Sequence, residues 1–212
     1  MTAMTRRYRQ LLAATTAAAA LALSGCAVPG QDGSPGLAAE WGADQVTTAR
    51  LDSVYQAWVD DTEARDVANR RQVLTVELMR PRLLAAMADA GVPLPPQTQF
   101  DLAEQWLRFQ GLGTEPSQEM VDQVGAIYAI TYFAYTEPDF ATLTALAEDA
   151  EANSVVSPRS GDFSAEVFLE SVAVARRSAD NQDLQQFSYT EFQHVNGLVD
   201  ASVSWVVVGF VK

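Results

Sequence analysis

Cysteine chemistry is the sharpest chemical signal in the chain. The only cysteine, Cys26, ends the stretch Leu23-Ser24-Gly25-Cys26, which follows three arginines and an apolar run that begins at Leu11. A positive segment, a short apolar segment and small residues before a cut are the layout of a bacterial secretory signal. We therefore expect the Cys26 thiol to be alkylated with diacylglycerol and the chain to be cut between Gly25 and Cys26.

The alternatives to lipidation are an uncleaved membrane anchor and a buried free cysteine. A helix that spans a bilayer needs about 20 apolar residues, and the run from Leu11 to Leu23 is shorter than that. Two or three acyl chains, at about 0.8 kcal/mol per buried CH₂, hold a protein on a membrane, whereas a single chain does not. We expect residues 1–25 to be a signal peptide and the protein to lie on the extracytoplasmic face of an envelope membrane, anchored at Cys26.

Other residues that could do chemistry lack the partners that the chemistry needs. His194 is the only histidine, and nucleophilic catalysis or a zinc site requires a histidine with further ligands or a base. The carboxylates of Glu148, Asp149 and Glu151 could bind Ca²⁺, but successive side chains on a helix point apart and no EF-hand spacing follows. We expect solvated charge there, and a protein that is not an enzyme and has no catalytic residue, metal ion or other cofactor.

The charge of the chain excludes two classes of partner. Without residues 1–25, which contain three arginines and no acid, 11 basic residues face 27 acidic ones, a net charge of −16. Such an acidic surface argues against binding to nucleic acid and to anionic lipid head groups. No second cysteine is present, so no disulfide is expected despite export.

The elements that must position any binding residues are mostly helical. Residues 26–38 are rich in Gly, Pro, Ser and Asp and predict a flexible tether. Beyond them, apolar residues recur at helical spacing, and short β-branched segments surround Val46 and Val155. We expect a mainly α fold of five to six helices with a few short extended segments. The predicted helices lie near residues 48–61, 63–90 with an interruption at Pro81, 97–110, 117–133, 139–150 and 165–177; a strand is predicted at 203–211.

Aromatic residues are concentrated in the third and fourth predicted helices. Most aromatics of amphipathic helices are buried, and a core role is the alternative for each one here. An apolar groove between two helices could nevertheless take an extended or helical peptide segment. Gly111 and Gly113, in the intervening loop, would let the helices splay. The candidate peptide-binding residues are Trp106, Phe109, Tyr132 and Phe133.

Three stretches carry a resemblance to a known family. They are Gly42 with Val46-Thr47, the segment from Arg70 to Val92, and Val155-Val156-Ser157-Pro158-Arg159-Ser160-Gly161. With them, residues 39–159 resemble the N-terminal chaperone domain of SurA-like periplasmic folding factors, in the form found in small bacterial lipoproteins. Trp41 and Ser160 depart from the pattern, where a small aliphatic and an aromatic residue are usual.

The resemblance implies both an architecture and a function. It implies a SurA-N-like helical domain at 39–161, in which five to six helices are closed by a small β-sheet that the N-terminal and later short extended segments form. We therefore expect the segment around Val46 to pair with the segment around Val155. Residues 162–212 are left as an extension of uncertain structure. Members of that family bind unfolded polypeptides. We therefore expect a membrane-tethered lipoprotein that binds unfolded or exported polypeptides without catalysis. The alternative is a structural or interaction lipoprotein that binds one specific folded envelope partner.

Overall fold

A computed structural model describes residues 36–65, 67–113, 115–181 and 188–200. The predicted signal peptide, Cys26 and most of the tether lie outside these residues, as does the strand predicted at 203–211. The described elements are β1 (Leu37–Trp41), β2 (Asp44–Thr47), α1 (Thr48–Asp61), α2 (Arg70–Asp89), α3 (Pro96–Phe109), α4 (Gln118–Thr136), α5 (Ala141–Asn153), β3 (Ser154–Val156), β4 (Asp162–Phe163), α6 (Ala165–Asn181), a 3-10 helix (Ser188–His194) and β5 (Leu198–Val199). The expected fold class, mainly α with a small sheet, is confirmed.

The sheet that closes the helices has β1 at its centre. The strand order is β2-β1-β3, and both pairings are antiparallel, with Ala39 opposite Val46 on one side and Val156 on the other. The prediction that the segment around Val46 pairs directly with the segment around Val155 is therefore wrong. The chain turns back at Gly42, whose φ of +65° favours glycine, so β2 occupies one edge of β1 and leaves the other edge to β3.

Two predicted boundaries move for physical reasons. Leu37 and Ala38, which we assigned to the tether, belong to β1, and Ala38 is buried. The second long helix begins at Arg70 rather than at Glu63, because the Asn69 side chain caps it and Gln72 completes a capping box. That helix also continues through Pro81 without being split, since buried residues before and after the proline hold it in place.

The core is one cluster to which every helix contributes. Its largest fully buried side chains include Trp41 of β1, Trp58 of α1 and Trp106 of α3. Phe168 of α6 and Phe192 of the 3-10 helix lie in the same cluster. The described part of the predicted extension thus forms α6, the 3-10 helix and two short strands, whose apolar side chains pack with those of residues 39–161.

Candidate functional site

The structure separates the four predicted peptide-binding residues by burial. Trp106 is 1% exposed and Phe133 is 2% exposed, while Tyr132 is partly buried. Phe109 is 42% exposed, at the last position of α3. Two of the four residues are therefore core residues, and Phe109 is the most exposed of the four.

Packing against other aromatic rings explains the burial. The Trp106 ring meets the Trp58 ring edge to face, with centroids 5.3 Å apart, an arrangement that adds to the gain from burial. Tyr132 and Phe133 form a second edge-to-face pair, also at 5.3 Å. The structure brings Tyr132 and Phe133 together on α4, whereas Trp106 packs toward α1.

Helices α3 and α4 lie in close contact. A Cβ atom added at Gly125 of α4 would come within 2.6 Å of the Gln99 side chain of α3. The loop glycine Gly111 has a φ of +73° and completes a Schellman motif, in which the Leu112 N–H donates to the Leu107 carbonyl at 2.9 Å. Gly111 therefore ends α3 through the backbone hydrogen bonds of this motif. The sequence predicts that it lets α3 and α4 move apart, but its role in the structure is to terminate the helix.

A buried polar network, which sequence reasoning missed, joins α1, α2 and α4. Glu77 of α2 is buried, and its carboxylate accepts from the Arg50 Nε of α1 at 3.0 Å and from the Gln123 Nε2 of α4 at 2.8 Å. Arg50 also donates through Nη2 to Asp122 of α4 at 2.9 Å. The network thus satisfies a buried carboxylate with donors from two other helices, as burial of a charge requires.

The outer part of the network is partly exposed and carries more charge. Glu119 lies 3.7 Å from Arg50, and Arg80 lies 3.6 Å from both Glu77 and Asp122. Partial burial acts to lower the pKa of Arg50, but hydrogen bonds and Coulomb attraction from Glu77 and Asp122 outweigh it and raise that pKa. Arg50 therefore stays charged, and the network is suited to holding three helices in register rather than to proton transfer.

The sequence contained a signal for this network. Glu77 interrupts the apolar run Val73-Leu74-Thr75-Val76-Glu77-Leu78-Met79, every residue of which is buried. A carboxylate inside such a run must be paired, because an isolated buried charge is very costly. The sequence does not reveal the partners, which lie 27 and 46 residues away along the chain.

A second polar cluster attaches the sheet to the helices. The Arg82 guanidinium of α2 lies 3.8 Å from the centroid of the Trp41 ring, and its Nη2 donates to the Trp41 carbonyl at 3.3 Å. Its Nη1 also donates to Asp149 of α5 at 3.3 Å. Asp149, one of the three carboxylates considered as a Ca²⁺ site, is thus paired with an arginine that holds β1 in place.

His194, the only histidine in the sequence, lies at the end of the 3-10 helix. The His194 backbone carbonyl accepts from the Gln72 side chain at 2.8 Å, and its ring lies beside the Gln193 amide. Within the described ranges, no group of three or more His, Cys, Asp and Glu residues is arranged to hold a metal ion. None of the helices in this part of the chain is long and apolar enough to cross a membrane.

Comparisons with protein-family models, with curated proteins and with solved structures find no match to this chain.

Proposed function

We propose that the protein is a membrane-tethered envelope lipoprotein that binds unfolded or exported polypeptides as a non-catalytic chaperone. The observation that carries this proposal is the closure of the helices by β1 and β3, in which Trp41 lies opposite Ser154. The resemblance to SurA-like domains implies such a closure between the first and last extended pieces. The secretory signal that ends at Cys26 supports a position on the extracytoplasmic face of an envelope membrane. Because the chain is acidic, we expect apolar contact to be the main source of affinity for clients.

A second candidate function is supported by a different observation. Trp106 and Phe133, two of the expected client-binding aromatics, are buried in the core, and the Arg50–Glu77 network holds three helices together. A body fixed in this way suits the recognition of one folded envelope partner, because such partners bind a preformed surface.

The anchor is tested first by replacing Cys26 with serine. Serine offers no thiol for alkylation, so we expect the variant to move from the membrane fraction to the aqueous fraction in detergent phase partition. The parent protein is expected to partition with detergent, because two acyl chains bind a membrane stably. A matched Ser34→Ala variant should partition like the parent. Membrane partition of Cys26→Ser equal to that of the parent would contradict the anchor.

The chaperone proposal is tested on the full chain that carries Cys26→Ser. We expect it to suppress aggregation of several unrelated unfolded proteins at stoichiometric ratios, with a similar effect at 50 mM and at 500 mM salt. The distance over which salt screens charge falls from about 14 Å to about 4 Å across this range, whereas burial gives roughly 25 cal/mol per Å² at both salt concentrations. Phe109→Ser should weaken suppression, while Glu148→Gln, on an exposed helix surface, should not. Suppression of one client alone would favour the single-partner function instead.

A further inference from the structure

A segment near the C-terminal end of the described chain lies on three helices in the manner of a bound peptide. We define residues 188–200, which comprise the 3-10 helix and β5, as the strap. The strap packs against α4 and α6, and against α2 at its far end. Its contacts include apolar side chains that are buried and backbone groups that helix side chains bind.

The apolar contacts of the strap repeat every three residues. Phe192, Val195 and Leu198 are all buried, and the Phe192 ring lies 6.2 Å from the Tyr135 ring of α4. On the opposite side, Phe168, Val172 and Ala175 form a buried apolar face of α6. These helices therefore offer an apolar surface that accepts three side chains of one short segment.

The polar contacts of the strap include bonds from helix side chains to its backbone, antiparallel pairing of β5 with β4, and an ion pair between Arg71 and Asp200. The Gln72 Nε2 donates to the His194 carbonyl at 2.8 Å, and the buried Thr75 Oγ1 accepts from the Gly197 N–H at 3.0 Å. The Ser171 Oγ bonds the Asn196 N–H and lies within hydrogen-bonding distance, 3.0 Å, of the Asn196 carbonyl.

These backbone contacts have a consequence for selectivity. Every residue except proline carries one N–H donor and one carbonyl acceptor, so these helix side chains can hold many different sequences. Recognition by backbone hydrogen bonds together with pockets for spaced apolar side chains is a recurring way to bind extended peptides.

We propose that this face of α2, α4 and α6 is a polypeptide-binding surface, and that the strap occupies it as an internal substitute for a client. The inference rests on the proposed chaperone function and adds to it a second client-binding surface, separate from Phe109 at the end of α3. The preferred client is a polypeptide segment with large apolar residues three positions apart. The strap belongs to the same chain, so it competes for this face at a high effective concentration. A client can therefore bind to this face only when the strap has left it.

The test weakens the strap without removing an apolar core side chain. In the full chain with Cys26→Ser, the pair Thr75→Ala and Ser171→Ala removes three of the contacts to the strap backbone. The probe is a fluorescein-labelled peptide with the sequence of residues 188–200, and binding is measured by fluorescence anisotropy. The apparent Kd equals the intrinsic Kd of the open site divided by the fraction of molecules in which the site is open. Because the substitutions raise that fraction, we expect the weakened variant to bind the probe at least about tenfold more tightly than the parent does.

Two controls separate access to the site from general loosening. Thr131→Ala is the matched control for Thr75→Ala. Both threonines have a buried hydroxyl that donates to the carbonyl four residues earlier at 2.9 Å, but within the described residues no hydrogen bond joins the Thr131 hydroxyl to the strap. Thr131→Ala should leave the parent's affinity unchanged. A peptide with serine at the positions of Phe192, Val195 and Leu198 should not bind, and circular dichroism should show equal helix content in all variants.

Competition links the surface to clients. Reduced and carboxymethylated lysozyme, which stays unfolded, should displace the peptide from the weakened variant. Equal peptide affinity in the weakened variant and the parent would overturn the inference, since the strap would then be a permanent part of the core. Failure of the unfolded protein to displace bound peptide would also overturn it. The chaperone proposal is tested separately, by measuring whether the parent protein suppresses aggregation.

Discussion

Replacing Glu77 with alanine is expected to lower the free energy of unfolding by about 3 kcal/mol, because removal of one member of a buried ion pair strands the other charge. Arg50 would lose its bond at 3.0 Å, and Gln123 would lose its acceptor at 2.8 Å. Asp122 still binds Arg50, which keeps the loss near the lower end for buried pairs. The measurement is urea unfolding followed by circular dichroism, compared at constant m-value.

An exposed ion pair between the same two helices provides the matched control. Asp52 of α1 pairs with Arg70 of α2, and both side chains are about half exposed. Asp52→Ala should therefore cost less than about 1 kcal/mol, as exposed pairs do. Glu77→Gln, which keeps an acceptor for Gln123, should fall between the two. A loss from Glu77→Ala no greater than that from Asp52→Ala would show that the network does not hold the helices.

The second large effect is expected at Trp106, where the two interpretations of the aromatics differ. Trp106→Ala should lower the free energy of unfolding by about 3–5 kcal/mol, because it removes a fully buried ring and leaves a cavity. It also removes the partner of Trp58 in the edge-to-face pair. Thermal and urea unfolding of the full chain with Cys26→Ser measure this loss.

Phe109, three residues later on the same helix, is the comparison for Trp106. Phe109 is 42% exposed, so Phe109→Ala should change stability by less than about 1 kcal/mol, as surface substitutions generally do. Near-parent stability of Trp106→Ala would contradict its place in the core and restore it as an accessible binding residue. Equal losses at both positions would mean that Phe109 is also buried in solution.

The proposed binding of polypeptides depends on which apolar surfaces of the described chain are accessible. With Trp106 and Phe133 in the core, the α3–α4 contact leaves Phe109 and Tyr132 as the accessible part of the predicted groove. The face beneath the strap combines apolar burial with backbone hydrogen bonds, and it is therefore our preferred site for a polypeptide. A strap that leaves and returns would make client binding depend on competition within the same chain.

The sequence by itself determined the features that depend on neighbours along the chain. Thr47 and Ser117 cap their helices with bonds to backbone N–H groups three residues on, as their side chains predict. Helical spacing predicts one apolar face of α1, and the structure buries three of its five members and partly buries the other two. The predicted members are Leu51, Val54, Tyr55, Trp58 and Val59. The mainly α class follows from such local patterns, and the proposed lipidation signal that ends at Cys26 also consists of neighbouring residues.

Only the tertiary structure decided which residues meet across the chain. Examples are the pairing of β1 with β3, the ion pair of Arg50 with Glu77, and the bond between Thr75 and Gly197. Each joins residues that are 27 to 122 positions apart. Side-chain type and helical spacing are the same for an aromatic that faces the core and for one at an exposed helix end. Trp106 and Phe109 lie on the same helix and differ in burial, because only one face of α3 packs against the neighbouring helices. Which face that is depends on contacts between residues that are far apart in the sequence.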